Sequence, residues 1–283
     1  MTRRAFRTLA ILAAPLLLSA CLLLPGKFSS AMSVEKDGRF AFSYQGEIQL
    51  IGLQAMLDKA KKAESPQKFD PSSCFDQETG EERTCSKEEV AEQRKTWDEQ
   101  QASKAREDAQ MKGMMSGLLG GIDPDEPGSI DQFARNLERI EGWRSVRHIG
   151  DGVFMVDYAA AGTLDRDFVF PVIPGYALGE PVFHAQRWKD GRLKITAPAL
   201  KNGGTSLFSI FGKSFPIGEM DKGDGPKMKP VDGRFTLDTD AEILTNNTEE
   251  GPSTVNGRKV MEWKVETGSV MPPESLLRLN TGK

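Results

Sequence analysis

The side chains best suited to covalent or acid–base chemistry in this sequence are three thiols and two imidazoles, at Cys21, Cys74, Cys85, His148 and His184. Two histidines leave little material for a metal site or a histidine-dependent active site. The chain contains neither a Gly-x-Ser-x-Gly elbow nor a His-Glu-x-x-His motif. Each histidine lies in an expected strand, which favours a hydrogen-bonded structural role. We therefore expect no catalytic residue, no metal and no cofactor.

Two further stretches match binding motifs only in part. Gly212-Lys213-Ser214 has the tail of a phosphate-binding loop, but Leu207 occupies the position of the required first glycine. The acidic residues at 238–242 have the spacing of a calcium-binding loop, but Ile243 occupies the position of the glycine that allows the sharp turn of such a loop. These acids alternate with apolar residues, as the solvent face of a strand does. We expect a ligand at neither stretch.

The composition is that of a globular protein. The chain has 283 residues, of which 38% are hydrophobic and 28% charged, with a net charge of −4. These values exclude general disorder, and a multispanning membrane protein is excluded because the only long apolar run is at the N-terminus. The 41 acidic residues slightly outnumber the 37 basic residues, so the composition does not indicate a basic surface that would bind nucleic acid.

The first 20 residues have the organisation of an export signal. Arg3, Arg4 and Arg7 form a cationic region, and the apolar run 8–18 is too short to span a bilayer core as a helix. The run ends in Leu18-Ser19-Ala20-Cys21, which resembles the lipobox of bacterial lipoproteins. This resemblance implies cleavage before Cys21 and three acyl chains on that residue. Each buried CH₂ contributes ~0.8 kcal/mol, so three chains give stable anchoring.

The residue after the cysteine is Leu22 rather than Asp. In Gram-negative lipoproteins this pattern implies the outer membrane, with the protein facing the periplasm. Export also sets the redox compartment of the remaining thiols, Cys74 and Cys85. Outside the cytoplasm, a lone pair of cysteines this close in sequence is most simply a disulfide.

The clearest strand pattern is a hairpin around Lys36-Asp37-Gly38. A two-residue turn would set the apolar face of one strand against the polar face of the other. A three-residue loop with Gly38 in the left-handed conformation pairs Val34 with Phe40 and Met32 with Phe42. We predict this second register because it keeps one face apolar and places Glu35 opposite Arg39.

The remaining chain predicts an α+β fold with an antiparallel β-sheet and a helical insert over 52–141 that packs on the sheet or projects from it. The insert begins with a helix over 52–63 and a disulfide-closed loop over 65–85. A charged, exposed helix then runs from a capping box at Ser86-Lys87-Glu88-Glu89 to about Lys112, and a further helix starts at Ser129. Strands are expected at 143–149, 153–161, 167–173, 181–189, 192–198, 234–245, 258–266 and 276–280. The predicted organisation is thus a signal peptide over 1–20, a lipidated tether over 21–27 and one domain over 28–283.

Two apolar segments lie between glycines, at 111–122 and 207–217. Their candidate surface residues are Met114, Met115, Leu118, Leu119, Phe208 and Phe211. Apolar stripes usually face a core, which favours a role in covering the sheet. The alternative is an adaptable surface that forms the lips of a cleft for an acyl chain, or that touches the bilayer or a partner protein.

Two resemblances concern the mature chain. The opening Cys21-Leu22-Leu23-Leu24-Pro25-Gly26-Lys27-Phe28, followed by Gly38-Arg39-Phe40, resembles uncharacterised proteobacterial outer-membrane lipoproteins. The pattern from Gly233-Arg234-Phe235 through Asn246-Asn247 to Glu262-Trp263-Lys264 is similar to mycobacterial-type lipoproteins with an α/β lipid-binding domain. The resemblances imply an envelope lipoprotein and lipid binding, and they carry over no catalytic residue.

The sequence thus predicts a non-enzymatic lipoprotein, held at the membrane by N-terminal acyl chains, that binds lipid or another amphiphile. The alternative is a structural or assembly partner in an envelope protein complex, favoured by the charged helix over 86–112.

Overall fold

The computed structural model describes residues 23–50, 53, 57, 68–76, 79–118, 122–123, 126–173, 181–204 and 229–280. The first strands are β1 (Leu23–Val34), β2 (Arg39–Leu50), β3 (Cys74–Phe75) and β4 (Glu82–Arg83). Helices α1 (Lys87–Leu118) and α2 (Ser129–Glu138) follow. Next come β5 (Trp143–His148), β6 (Val153–Thr163), β7 (Phe168–Phe170), β8 (Phe183–Arg187), β9 (Arg192–Thr196) and a 3₁₀ helix (Pro198–Gly204). The last strands are β10 (Asp232–Thr239), β11 (Glu242–Asn246), β12 (Ser253–Val255), β13 (Arg258–Glu266) and β14 (Glu274–Arg278).

The strands form two main sheets rather than the single antiparallel sheet expected. One sheet has the order β12-β13-β10-β1-β2-β6-β5, and the other has the order β11-β14-β9-β8-β7. The larger sheet is mixed, because β1 pairs with β10 in parallel, with Lys27 opposite Asp232 and Val34 opposite Thr239. Parallel neighbours need a long connection, and residues 35–231 separate these two strands. The wholly antiparallel prediction was therefore wrong.

The expected strand over 234–245 is divided between the two sheets. The hydroxyl of Thr239 donates to the carbonyl of Val34 at 2.7 Å and accepts the backbone N–H of Ala241 at 3.0 Å. This buried side chain satisfies backbone groups at the break, so the chain can leave the larger sheet after β10 and enter the smaller one as β11.

The hairpin register predicted from the sequence is confirmed. Val34 pairs with Phe40 and Met32 with Phe42, Gly38 has a φ of 92°, and the N–H of Glu35 donates to the carbonyl of Arg39 at 2.8 Å. The tether expected over 21–27 is shorter, however, because β1 already begins at Leu23. Leu23 and Leu24 are buried and pair with Leu50 and Gln49.

The two main sheets pack face to face as a β-sandwich, and aromatic side chains fill the space between them. Phe42 of the larger sheet contacts Phe170 and Phe183 of the smaller sheet, with ring centroids 5.2 and 5.5 Å apart. Tyr44 lies 4.9 Å from Phe170, and Phe183 lies 4.7 Å from Phe235. This part of the interior is a packed core rather than a ligand cavity.

The helical insert agrees with the sequence where it is described. Ser86 and Glu89 form the predicted capping box, in which the Glu89 N–H donates to the Ser86 hydroxyl at 3.2 Å and the Ser86 N–H donates to the Glu89 carboxylate at 2.8 Å. Helix α1 continues to Leu118, beyond the expected end near Lys112. Helix α2 buries Phe133, Ala134 and Leu137 and contacts β6 through Phe133 and Phe154. Of the helix expected over 52–63, only Leu53 and Leu57 are among the described residues.

Candidate functional site: the N-terminal end of the sandwich

The strand directions give the sandwich two distinguishable ends. We call the end where β1 begins at Leu23 the N-terminal end, and the end with the β1–β2 turn at 35–38 the distal end. The Asn280 N–H donates to the Lys36 carbonyl at 2.7 Å, which places the exit of β14 at the distal end. The antiparallel pairings of the smaller sheet then place the starts of β8 and β14 and the ends of β7 and β9 at the N-terminal end.

The two ends differ in their connections. Short turns join strands at the distal end, for example at 35–38, 188–191 and 256–257. The connections 171–182, 197–231 and 267–273 leave and return at the N-terminal end, and the long connection 51–142 leaves there. Because loops commonly carry function on a rigid scaffold, the N-terminal end is the better candidate for a functional surface.

Exposed large apolar side chains concentrate at this end. Ile149 between β5 and β6 is 44% exposed, and Val172 after β7 is 56% exposed. Val270 and Met271, between β13 and β14, are 73% and 66% exposed. Scattered exposed apolar residues are normal, but four of them on three connections at one end form a pattern that calls for a cause.

The backbone holds Val270 and Met271 outward. The Thr267 N–H donates to the Val231 carbonyl at 2.9 Å, and the Ser269 N–H donates to the Glu266 carbonyl at 2.9 Å. On the other side of the loop, the Asn247 side chain donates to the Pro272 carbonyl at 2.8 Å. The exposure of the loop tip is therefore imposed by bonds on both flanks.

Gln49 fixes the first residues of β1. Its buried amide donates to the carbonyls of Pro25 and Lys229 at 3.3 and 3.1 Å, and its Oε1 accepts the Lys229 N–H at 2.8 Å. The amide thereby joins β1, β2 and the approach to β10. Sequence reasoning missed Gln49, because a polar residue near a strand end gives no signal of a partner 180 positions away.

A charged cluster around Arg258 lies at the distal end. The Arg258 guanidinium donates to both carboxylate oxygens of Glu35, at 3.1 and 3.0 Å, and to Asp238 at 2.5 Å. These hydrogen bonds raise the pKa of Arg258, although its burial opposes the shift. Lys36 pairs with Asp240 at this end. Ion pairs also lie at the N-terminal end, between Lys229 and Glu47 and between Lys194 and Glu274, so the two ends differ in their exposed apolar loop residues rather than in charge.

A shallow concavity lies on the outer face of the larger sheet. It has a volume of about 480 Å³ and is lined by Lys27, Phe28, Ser29, Gln45, Asp232, Gly233, Arg234 and Lys264. Two of its cations already have partners, because Arg234 pairs with Glu262 and Lys264 pairs with Glu266. The concavity therefore presents little free positive charge for an anionic ligand.

The expected disulfide between Cys74 and Cys85 is present, with Cα atoms 5.1 Å apart. Its loop packs on the first turns of α1. Phe69 lies 5.9 Å from Trp97, and the Gln93 amide donates to the Ser72 carbonyl at 3.3 Å while its Oε1 accepts the Ser72 N–H at 2.9 Å. The disulfide thus closes a small unit on the charged helix and is remote from the aromatic core.

The other predicted site residues are not tested by the structure. Cys21, Leu119, Phe208 and Phe211 lie outside the described residues. Met114, Met115 and Leu118 belong to the last turns of α1, and their side chains also lie outside the described part.

The two histidines differ from one another. His184 Nε2 lies 3.4 Å from Asp167 Oδ2, as a structural histidine would. His148 ends β5 at the N-terminal end, and its buried Nε2 has no hydrogen-bond partner among the described residues. The expectation of a hydrogen-bonded histidine was therefore wrong for this nitrogen. Partial burial lowers the pKa of His148, while Asp131 and Asp151 oppose that shift.

Among the described residues, no helix is both long and apolar enough to cross a bilayer. No family model matches the chain, and no protein in the curated set matches it. One solved structure is similar: the NMR structure of the folded domain of LppM from Mycobacterium tuberculosis, at 12% identity over 91% of this chain and 92% of that chain. The TM-score is 0.28, a value too low to support an argument about fold or function.

Proposed function

We propose that this chain is a non-enzymatic lipoprotein of the bacterial outer membrane, held on the periplasmic side by acyl chains on Cys21. The observation that carries the proposal is the start of β1 at Leu23, two residues after the cysteine of the lipobox-like sequence. Two residues span at most about 7 Å. An acyl anchor at Cys21 would therefore hold the N-terminal end of the sandwich against the headgroups.

Fractionation of the full-length protein tests the anchor. The wild-type protein is expected with the envelope and resists extraction by salt, because three buried acyl chains give stable anchoring. The Cys21→Ser variant is expected to remain unprocessed and to lose acyl labelling. The matched control is Cys74→Ser together with Cys85→Ser, which removes the disulfide thiols and should leave acyl labelling unchanged. Equal acyl labelling of wild type and Cys21→Ser would refute the proposal.

Binding of lipid or another amphiphile is the second part of the proposal. Because aromatic rings fill the described interior, an amphiphile would bind outside that core. The apolar segment 207–217 lies in the connection between the 3₁₀ helix and Lys229, and both of these flanks belong to the N-terminal end. This topology supports a site near the anchor.

Native mass spectrometry of the purified protein tests this part. Wild type should carry a bound amphiphile in addition to its covalent acyl chains, and Phe208→Ser combined with Phe211→Ser should lose it. Phe75→Ser is the matched control, since Phe75 is an exposed phenylalanine on the disulfide loop. Loss of the amphiphile together with loss of the circular-dichroism melt would count against a specific site, as would its absence from wild type.

The alternative function is a structural or assembly role through α1. This helix has 32 residues and is buttressed by the disulfide loop near its start. Its side chains are largely exposed and of both charge signs, which suits a solvent-exposed helix or a polar partner surface. Crosslinking in intact envelopes through Lys95 and Lys104 should give one stoichiometric protein adduct if this role is correct, and no discrete adduct if it is wrong.

A further inference from the structure

The apolar side chains at the N-terminal end surround the point where the chain enters the fold. Strand β1 is the fourth of seven strands in the larger sheet, so Leu23 enters near the middle of that end. Ile149 and Val172 follow the edge strands β5 and β7 on one side. Val270 and Met271 follow β13 on the other side.

We propose that these four residues form a second membrane contact, in which Val270 and Met271 enter the headgroup–acyl boundary of a phospholipid bilayer, and Ile149 and Val172 support them from the opposite side. The contact rests on the proposed anchoring at Cys21, which brings this end to the bilayer. Anchoring by acyl chains alone would leave the sandwich free to tilt about one point. Apolar contacts on both sides of the anchor hold it upright.

Three observations favour a bilayer as the occupant. The chain that precedes Leu23 is only long enough to keep this end within about 7 Å of Cys21. Of the six large apolar side chains that are exposed among the described residues, four lie at this end. The tip at Val270 and Met271 is held outward by backbone hydrogen bonds on one flank and by the Asn247 side chain on the other. Apolar side chains presented in this way gain free energy by leaving water for the interface.

A fluorescence experiment on the full-length lipidated protein tests the contact. A cysteine introduced by Met271→Cys is the only expected free thiol, because Cys74 and Cys85 are bonded to each other and Cys21 is acylated in the proposed protein. An environment-sensitive dye on this thiol should shift to shorter wavelength in vesicles of phosphatidylethanolamine and phosphatidylglycerol. Nitroxide-bearing lipids should quench it. Ile149→Cys, on the opposite side of the anchor, should behave in the same way.

Val255→Cys is the matched control. Val255 is also apolar and 49% exposed, but it lies in the β12–β13 hairpin at the distal end. Its dye should neither shift nor be quenched. Flotation of the vesicles measures separately whether the protein is anchored to them. Protein that floats without a shift at positions 271 and 149 overturns the membrane contact and leaves the anchor standing. Protein that does not float overturns both, and a shift of equal size at 255 overturns the proposed orientation.

Discussion

Leu23 lies opposite Leu50 at the first rung of the β1–β2 ladder, and both side chains are buried. The first described strand therefore begins two positions after Cys21, where the sequence had predicted a seven-residue tether over 21–27. A lipoprotein with a long tether samples many orientations above its membrane. This short connection couples the proposed anchor to the central strand of the larger sheet.

The Cys74–Cys85 disulfide should stabilise the unit on α1 rather than the core. Removal of both cysteines by Cys74→Ser and Cys85→Ser is expected to destabilise that unit by about 3 kcal/mol. In the chain-entropy model, a disulfide that closes a short loop lowers the entropy of the unfolded chain by an amount on that scale. Hydrogen exchange should accelerate in 72–93 and stay unchanged in β1 and β2. Chemical reduction of the wild-type protein should reproduce the pattern, whereas faster exchange throughout the sheets would contradict it.

Gly233 should not tolerate a side chain. A Cβ at this position would overlap the ring of Phe28, which stacks on Tyr44 with centroids 5.5 Å apart. Gly233→Ala is expected to lower the free energy of unfolding by about 1–3 kcal/mol through overpacking. The control is Gly162→Ala in β6, where the nearest atom, Cε1 of Phe40, lies 3.7 Å from the added Cβ. Equal urea midpoints for the two variants would show that the overlap with Phe28 does not destabilise Gly233→Ala.

Glu89 should titrate far below an ordinary glutamate. The hydrogen bond from Arg83 is the largest cause that lowers its pKa to about 2, followed by the bond from the Ser86 backbone. Because the folded pKa lies below the ordinary glutamate value of 4.5, the stabilisation by the ionised Glu89 is present above that value. It is lost as pH falls toward the folded pKa. NMR titration of the carboxyl carbon should report this value. Arg83→Ala should move it upward, and an unchanged pKa would exclude the pair as the cause.

His148 should make the N-terminal end sensitive to mild acid. Burial lowers its folded pKa below the ordinary histidine value of 6.5, so the unfolded chain binds the proton more tightly. Stability should therefore decrease as pH falls through that value. Urea unfolding at about pH 7.5 and about pH 5.5 should show a smaller change for His148→Gln than for wild type. His184 is present in both proteins. An equal change in the free energy of unfolding for wild type and His148→Gln would therefore show that a group other than His148 causes the effect.

Local chemistry made several elements predictable. The β1–β2 register followed from the apolar face of two adjacent strands and from the pairing of Glu35 with Arg39, all within a few residues. The capping box at Ser86 and Glu89 is likewise confined to one turn. The disulfide followed from the cysteine count in a chain whose N-terminus predicts export.

Long-range pairing was not predictable in the same way. The parallel pairing of β1 with β10 and the change of sheet after Thr239 depend on partners about 200 residues apart. The candidate surface has the same origin. The sequence predicts Ile149 as the last residue of a strand and Met271 as a loop residue, and only the strand order brings their connections to one end. The predicted apolar ligand residues remain predictions, since the structure does not describe their side chains.

Mass spectrometry of the N-terminal peptide of the mature protein, isolated from envelopes, tests the anchor most directly. The account predicts a peptide that begins at Cys21 and carries the mass of a diacylglycerol thioether and an amide-linked acyl chain. A mature peptide with an unmodified Cys21, or one that begins at another residue, would contradict the anchor and with it the orientation proposed for the sandwich.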